Sequence, residues 1–174
     1  MDIIQIFATI FSVIGAICLV WGGSVKDVHK SHVIQVIDCS AHTIVTILLL
    51  SWPGALANFT ALIREIIAAK GRMTRIKQIS ICSIMVITGI LLNNRGVVGL
   101  FPLIGSAIYI LIGCSPSAGL VSLKSTYAAN MFLWSIHDFV IGAYPTALAD
   151  ILTVASCIWA IIYFYKTKRK TSEP

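Results

Sequence analysis

The sequence contains few charged residues. Asp, Glu, Lys and Arg make up 11% of its 174 residues, against about 25% in a typical soluble domain. Hydrophobic residues make up 57%, which is more apolar surface than a soluble fold of this length can bury. The shortage of charge therefore argues against an ordinary soluble domain and indicates an integral membrane protein.

The sequence also lacks the short patterns of common enzyme and metal sites. It has no H-E-x-x-H, no G-x-S-x-G and no phosphate-binding loop, so we do not expect an enzyme. Its five cysteines never occur as C-x-x-C, so we expect no disulfide, no metal and no cofactor. The net charge of +6 comes from basic residues beside apolar segments, which favours the lipid bilayer over nucleic acid as the partner.

Seven apolar segments alternate with short polar ones. They cover about residues 3–21, 33–50, 53–69, 79–92, 97–113, 126–142 and 145–163. A spanning helix needs about 20 residues, with a range of roughly 17–25. The pattern predicts an all-α integral membrane protein in which residues 1–174 form one membrane domain with seven transmembrane helices. The fourth segment is short, and its length alone would also suit a re-entrant helix.

The distribution of basic residues predicts the orientation. With seven spans and the N-terminus outside, eleven basic residues lie on the cytoplasmic side, and only Arg95 lies outside. The eleven are Lys26, Lys30, Lys70, Arg72, Arg75, Lys77, Lys124, Lys166, Lys168, Arg169 and Lys170. A fourth helix that did not cross would move Lys124 and the basic tail outside. The positive-inside rule therefore favours seven spans with a cytoplasmic C-terminus.

One stretch of the sequence occurs twice. Ser51–Asn58 and Ala143–Asp150 share an aromatic-Pro pair, an Ala-Leu-Ala run and a final polar residue, 92 positions apart. Phe11–Gly15 and Phe101–Gly105 match at an offset of 90. Two matches in the same order at nearly the same offset predict an internal repeat. Each Pro fits the first turn of a helix, where its missing N–H costs nothing.

The repeat predicts a 3+1+3 arrangement. We expect two three-helix bundles, joined by a linker helix and followed by a basic cytoplasmic tail. The expected bounds are about 3–72 for repeat one, 78–92 for the linker helix, 97–166 for repeat two and 166–174 for the tail. A single linker helix gives both bundles the same orientation, as in the parallel repeats of SWEET transporters.

Several polar residues fall within the apolar segments, where they usually mark a bundle interior or a cavity. Asp38 and Arg64 lie at similar distances from the turn near residue 52, which predicts an intramembrane ion pair. His137 and Asp150 are similarly placed around the turn near residue 143 and predict a second pair, able to exchange a proton. Asp138 is expected to face a different neighbour from His137, because successive helical residues point about 100° apart.

The 92-residue offset relates further polar positions. Asn130 corresponds to Asp38, and Asp150 corresponds to Asn58. In a parallel repeat, equivalent positions lie across the central axis. Asn58 and Asp150, together with Asn130, Trp134 and His137, are therefore predicted to bind a polar solute.

Three short motifs, in order, resemble the bacterial inner-membrane proteins of the YgjV type. They are Pro53–Asn58 with Arg64, Leu103–Ser106, and Trp134–Phe139 with Gly142 before the basic tail. The resemblance extends over most of the chain and implies location in the bacterial inner membrane. The sequence also looks like a distant relative of SWEET and PQ-loop proteins. It has no Pro-Gln dipeptide, and of its first and fifth helices only the fifth contains a proline, Pro102. Sugar transport is therefore not carried over.

Two functions are compatible with these observations. A small-solute transporter or facilitator would use the polar residues of both repeats along a central path. A non-transporting receptor, regulator or assembly scaffold would pair all its polar residues and leave no path. The sequence favours the first and leaves the solute, the coupling to protons and the formation of a homo-oligomer open.

Overall fold

The computed structural model describes residues 3–24, 28–114 and 119–171. These residues form seven α-helices and no strand. The helices are α1 (Ile3–Ser24), α2 (Val28–Leu48), α3 (Trp52–Ala69), α4 (Arg75–Leu91), α5 (Gly96–Ile108), α6 (Leu120–Ile141) and α7 (Tyr144–Thr171). A π-helical segment, Tyr109–Gly113, continues α5. The seven predicted helices are confirmed, although α2, α4 and α6 begin several residues earlier than expected. Of the basic residues used in the orientation argument, Lys26 lies outside the described residues, as do residues 172–174 at the end of the predicted tail.

Local sequence signals explain where helices begin and end. Pro53 occupies the first turn of α3, and Pro145 is the second residue of α7. Gly142 ends α6 with a φ of 86°, a left-handed conformation that glycine adopts without steric cost. The side chain of Thr74 caps α4 by accepting from the backbone N–H of Lys77 at 3.4 Å.

Apolar side chains cover the outer surface of every helix. Large exposed examples, one from each helix in order, are Phe7, Ile37, Phe59, Ile87, Ile104, Phe139 and Trp159. Three segments combine the length and hydropathy of a membrane span: Ile3–Trp21, Gly96–Gly113 and Tyr144–Lys166. The outer surface therefore suits contact with lipid. Seven spans and the terminal orientation stay predictions.

Six of the helices form a closed ring in the order α1, α2, α3, α5, α6, α7. Each contacts its two neighbours, and α7 closes the ring against α1. Helix α4 packs outside the ring on α3 and α5. Among the described residues, α1 makes no close backbone contact with α3, and α5 makes none with α7. Within the ring, α1, α2 and α3 form one row and α5, α6 and α7 form a second row that faces it. The predicted 3+1+3 repeat stays a prediction.

The ring has two distinct ends. The connections 49–51, 92–95 and 142–143 meet at one end, which we call the turn end. There, Arg95 donates to the carbonyl of Leu49 and the amide of Asn94 donates to the carbonyl of Leu50 at 2.6 Å. The connection 70–74 and Cys114, which follows the π-helical segment, lie at the opposite end, which we call the basic end. There, Arg75 donates to the carbonyl of Leu111 at 2.8 Å.

Candidate functional site

The ring encloses a cavity of about 90 Å³. All six ring helices contribute to its lining, and Met85 of α4 closes one side. Six of the seven predicted site residues line it: Asp38, Asn58, Arg64, Asn130, Trp134 and Asp150. The seventh, His137, is fully buried beside the cavity. The structure thus brings the predicted residues to one place.

Five polar side chains of the cavity have atoms without a hydrogen-bond partner among the described residues. They belong to α2, α3, α6 and α7, and none of these residues is more than 9% exposed. The unpaired atoms are Asp38 Oδ1, His42 Nε2, Asn58 Nδ2, Asn130 Oδ1 and Asp150 Oδ2. Buried polar groups are nearly always paired in folded proteins. This cavity therefore concentrates polar groups that the protein itself leaves unsatisfied.

The charged residues on α2 and α3 are paired differently from the prediction. Arg64 donates from Nη2 to Glu65 Oε1 at 2.6 Å, and Asp38 Oδ1 lies 3.2 Å from His42 Nδ1. The predicted Asp38–Arg64 ion pair is therefore wrong. The guanidinium of Arg64 pairs with the carboxylate of the adjacent residue, Glu65, instead of with Asp38. It also lies 5.3 Å from the ring centre of Tyr109.

The carboxylate of Glu65 is buried and fully partnered. Besides Arg64, its Oε2 contacts His32 Nδ1 at 2.6 Å. The Gln35 amide nitrogen, in the orientation that satisfies its surroundings, lies 3.1 and 3.2 Å from the two carboxylate oxygens. We call these four residues, His32, Gln35, Arg64 and Glu65, the Glu65 cluster. Sequence reasoning missed it because His32 and Glu65 lie 33 residues apart on different helices.

A second paired group lies at the turn end. His137 Nδ1 lies 2.8 Å from Asp138 Oδ1, and its Nε2 lies 2.7 Å from Ser51 Oγ. Because a carboxylate only accepts, Nδ1 carries the proton and Nε2 accepts from the Ser51 hydroxyl. The predicted His137–Asp150 pair is therefore wrong, as is the expectation that Asp138 faces a neighbour other than His137. Side-chain rotation lets adjacent residues meet although their Cα–Cβ vectors diverge.

This Ser51–His137–Asp138 chain links the two rows of helices. Ser51 precedes α3, whereas His137 belongs to α6, and both residues are 0% exposed. Gly54 allows the close packing, because a Cβ there would lie 2.8 Å from His137 Cε1. Ser51 opens the repeated stretch of the sequence, but nothing in the pattern assigned it a partner.

Trp134 connects the cavity to this chain. Its ring meets the His137 ring edge-on, with centres 5.6 Å apart. Its Nε1 donates to Ser106 Oγ at 3.4 Å. Trp134 therefore forms one wall of the cavity. It is also hydrogen-bonded to Ser106, the last residue of the Leu103–Ser106 motif.

The three sequence motifs converge on this interior: Asn58 and Arg64 from the first, Ser106 from the second, and Trp134 and Asp138 from the third all line the cavity. An all-helical fold with an apolar outer surface and a buried polar cavity is that of a membrane protein. More particularly, a family model described as Imp-YgjV, bacterial inner membrane protein, matches residues 4–168. The chain belongs to this family, as its motifs predict. No curated protein and no solved structure matched the chain. Its similarity to SWEET and PQ-loop proteins stays a prediction.

Proposed function

We propose that this protein is a transporter or facilitator that carries small polar solutes across the bacterial inner membrane. One observation supports the proposal above all others: the polar groups that line the central cavity keep unpaired atoms. Leaving a buried donor or acceptor unsatisfied costs about 1–3 kcal/mol. A protein under selection for stability alone would pair or replace such groups. A binding site retains them, because the solute supplies their partners.

Each row of helices contributes one Asp and one Asn to the unpaired groups of this site. Asp38 and Asn58 come from the first row, and Asn130 and Asp150 come from the second. At the 92-residue offset Asp38 corresponds to Asn130, and Asp150 corresponds to Asn58. The helix contacts show the same two-fold relationship, because α1 packs on α7 and their equivalents in the other row, α5 and α3, also pack on each other. These features support a 3+1+3 parallel repeat with a pseudo-two-fold axis through the cavity.

The two ends of the ring differ in exposure, which supports access from the basic end. The His32 side chain in the Glu65 cluster is 29% exposed, whereas that of His137 is 0% exposed. Val45, Ile141 and Ala143 form an apolar cluster that closes the turn end. With the C-terminus in the cytoplasm, the positive-inside rule would place the basic end on the cytoplasmic side. The conformation would then be closed toward the outside.

We assign no enzymatic role to the Ser51–His137–Asp138 chain. Its atoms are connected in the order of a hydrolytic triad, in which the base activates the hydroxyl for attack. The Ser51 side chain, however, is fully buried and does not line the cavity. A substrate could not reach the hydroxyl in this conformation.

A receptor, regulator or scaffold is the alternative function. Full pairing of the Glu65 cluster and of His137 would suit such a protein, because paired groups stabilise a fixed arrangement. The unpaired polar groups that line the cavity between the Glu65 cluster and His137 favour transport instead.

Uptake of labelled metabolites tests the proposal. A deletion strain would be screened for a lost uptake activity that the wild-type gene restores. We expect Asp150→Ala to abolish that uptake and Asn58→Ala to weaken it, at unchanged protein levels. Phe59→Ala and Leu148→Ala are matched controls, since both side chains lie on the same helices but are exposed on the outer surface. Normal uptake by both cavity variants would contradict the proposal.

A further inference from the structure

Asp150 differs from the other charged groups of the cavity. Arg64 has Glu65, Asp38 has His42, and Asp138 has His137 within 3.2 Å or less. In the part of the chain that the structure describes, the Asp150 carboxylate has no ion pair and no hydrogen bond, although the residue is only 3% exposed. An isolated charge in a protein interior is strongly unfavourable. In its ionised form this carboxylate therefore needs a positive partner from outside the protein, and without one it is neutralised by a proton.

The charges around Asp150 do not supply that partner. Among the described residues that line the cavity, Arg64 is the one Lys or Arg, and Glu65 already neutralises it at 2.6 Å. His42 and His137 each lie beside their own carboxylate. Glu65 and Arg64 neutralise each other, whereas His137 carries a proton on Nδ1 only and leaves the Asp138 carboxylate negative. With Asp150 ionised, the interior is therefore net negative, so a cation would offset this charge and an anion would add to it.

The unpaired atoms specify more than charge. Asp38 Oδ1, Asn130 Oδ1 and Asp150 Oδ2 are acceptors, Asn58 Nδ2 is a donor, and His42 Nε2 is one or the other according to its tautomer. A primary ammonium group has three N–H donors, which suits a lining with more acceptors than donors. The Asn58 amide then requires an oxygen acceptor on the same molecule, such as a hydroxyl.

Size and surroundings fit such a solute. A volume of about 90 Å³ accommodates roughly six to nine water-sized groups, at about 10–15 Å³ each. The rings of Tyr109, Tyr127 and Trp134 line the same cavity. Aromatic faces attract ammonium cations, and they do so more strongly away from water.

We propose that the cavity binds a small monocation with a primary ammonium group and a neutral hydroxyl or carbonyl oxygen, with Asp150 as its counter-ion. This inference deepens the proposed transport function and rests on it for the physiological meaning of the site. Binding itself can be measured without transport.

The test uses the purified full chain in detergent and four probes. Ethanolammonium chloride has the ammonium group and the hydroxyl. Choline chloride keeps the charge and the hydroxyl but has no N–H donor, ethylene glycol lacks the charge, and sodium glycolate reverses it. We expect ethanolammonium to raise the Tm above that in sodium chloride of equal ionic strength. Choline should have a smaller effect, and the other two should have none.

Substitutions test whether the rise in Tm with ethanolammonium comes from binding in the cavity. Loss of one partner of a buried charge pair weakens binding by about 30-fold or more, so Asp150→Asn should remove the ethanolammonium shift. Asn58→Ala should reduce it, and Leu148→Ala should leave it unchanged. Asp150→Asn without ligand should be folded and no less stable than the wild type, because it removes an isolated buried charge.

The outcomes separate this inference from the transport proposal. Absence of an ethanolammonium shift, an equal or larger shift with choline or glycolate, or a shift that survives in Asp150→Asn would overturn the ammonium site. Uptake of a neutral or anionic solute that depends on Asp150 would overturn it too, while supporting transport. Binding of ethanolammonium together with normal uptake by Asp150→Ala cells would support the site and contradict the transport role.

Discussion

The Glu65 cluster and the centre of the cavity lie close together, but the polar atoms of the cluster have hydrogen-bond partners and several of those at the centre have none. Glu65 accepts from Arg64 and His32 at 2.6 Å each, whereas Asp150 has no such contact among the described residues. Both carboxylates are equally buried, at 3% exposure. Burial alone therefore does not distinguish a structural charge from a binding group. Whether the hydrogen-bonding groups have partners does distinguish the two. This difference predicts how the stability of the protein responds to mutation in each region.

The largest effect on stability is expected in the Glu65 cluster. Glu65→Gln leaves the buried guanidinium of Arg64 without its counter-ion, which typically costs about 3–5 kcal/mol. Thermal unfolding in detergent and the yield of folded protein would measure the loss. A double-mutant cycle of Arg64→Leu with Glu65→Leu should be strongly non-additive. The same cycle between Arg64→Leu and Asp38→Asn serves as the control and should be nearly additive, since these two residues do not pair. The reverse pattern would refute the assigned partners.

The next largest effect is expected in the Ser51–His137–Asp138 chain. Ser51→Ala leaves His137 Nε2 buried without its partner, at a cost of about 1–3 kcal/mol. The same unfolding assay would detect it. Ser40→Ala is a matched control, because the Ser40 hydroxyl only bonds to the carbonyl of Val36 in its own helix at 2.7 Å. Equal stability of the two variants would show that the His137 contact contributes little.

A similar or smaller effect is expected at Gly54, where the two rows pack most closely around His137. A Cβ at this position would lie 2.8 Å from His137 Cε1 and 3.1 Å from Thr46 Cγ2. Gly54→Ala should therefore destabilise the protein by about 1–3 kcal/mol through overpacking. Gly119→Ala is the control, since a Cβ there would meet no atom of the described residues within 4 Å. A Gly54→Ala variant as stable as the control would contradict the close packing of α3 on His137.

The smallest effect on stability is expected at the centre of the cavity. Asn58 and Asp150 keep unpaired atoms, so Asp150→Asn removes no favourable contact made by the protein. We expect its unfolding temperature to stay close to that of the wild type, in contrast to Glu65→Gln. A loss as large as that of Glu65→Gln would show that Asp150 has a structural partner, and the difference between the two regions would disappear.

Periodicity and composition were enough to predict the seven helices and the residues that share the interior. Asp38, Asn58, Asn130 and Asp150 could be selected because polar groups within apolar helices rarely face lipid. The pairing could not be predicted, because it depends on side-chain rotation over a few ångströms. Arg64 pairs with its immediate neighbour, and His137 pairs with Ser51 from a turn 86 residues away. The ring of six helices was missed as well, since an internal repeat does not specify how its helices pack.

The central claim is that the unpaired side chains face a cavity that solvent reaches from the basic end. In a cysteine-free background, Asn58→Cys and Asn130→Cys would be treated with a charged thiosulfonate reagent in right-side-out and inside-out membrane vesicles. Phe59→Cys, on the exposed face of α3, reports lipid contact. With the basic end in the cytoplasm, as we propose, this end faces the reagent in inside-out vesicles. We predict that both cavity cysteines react in that preparation and that Phe59→Cys reacts in neither. Cavity cysteines that are unreactive in both preparations, or that react only from the turn end, would contradict the account.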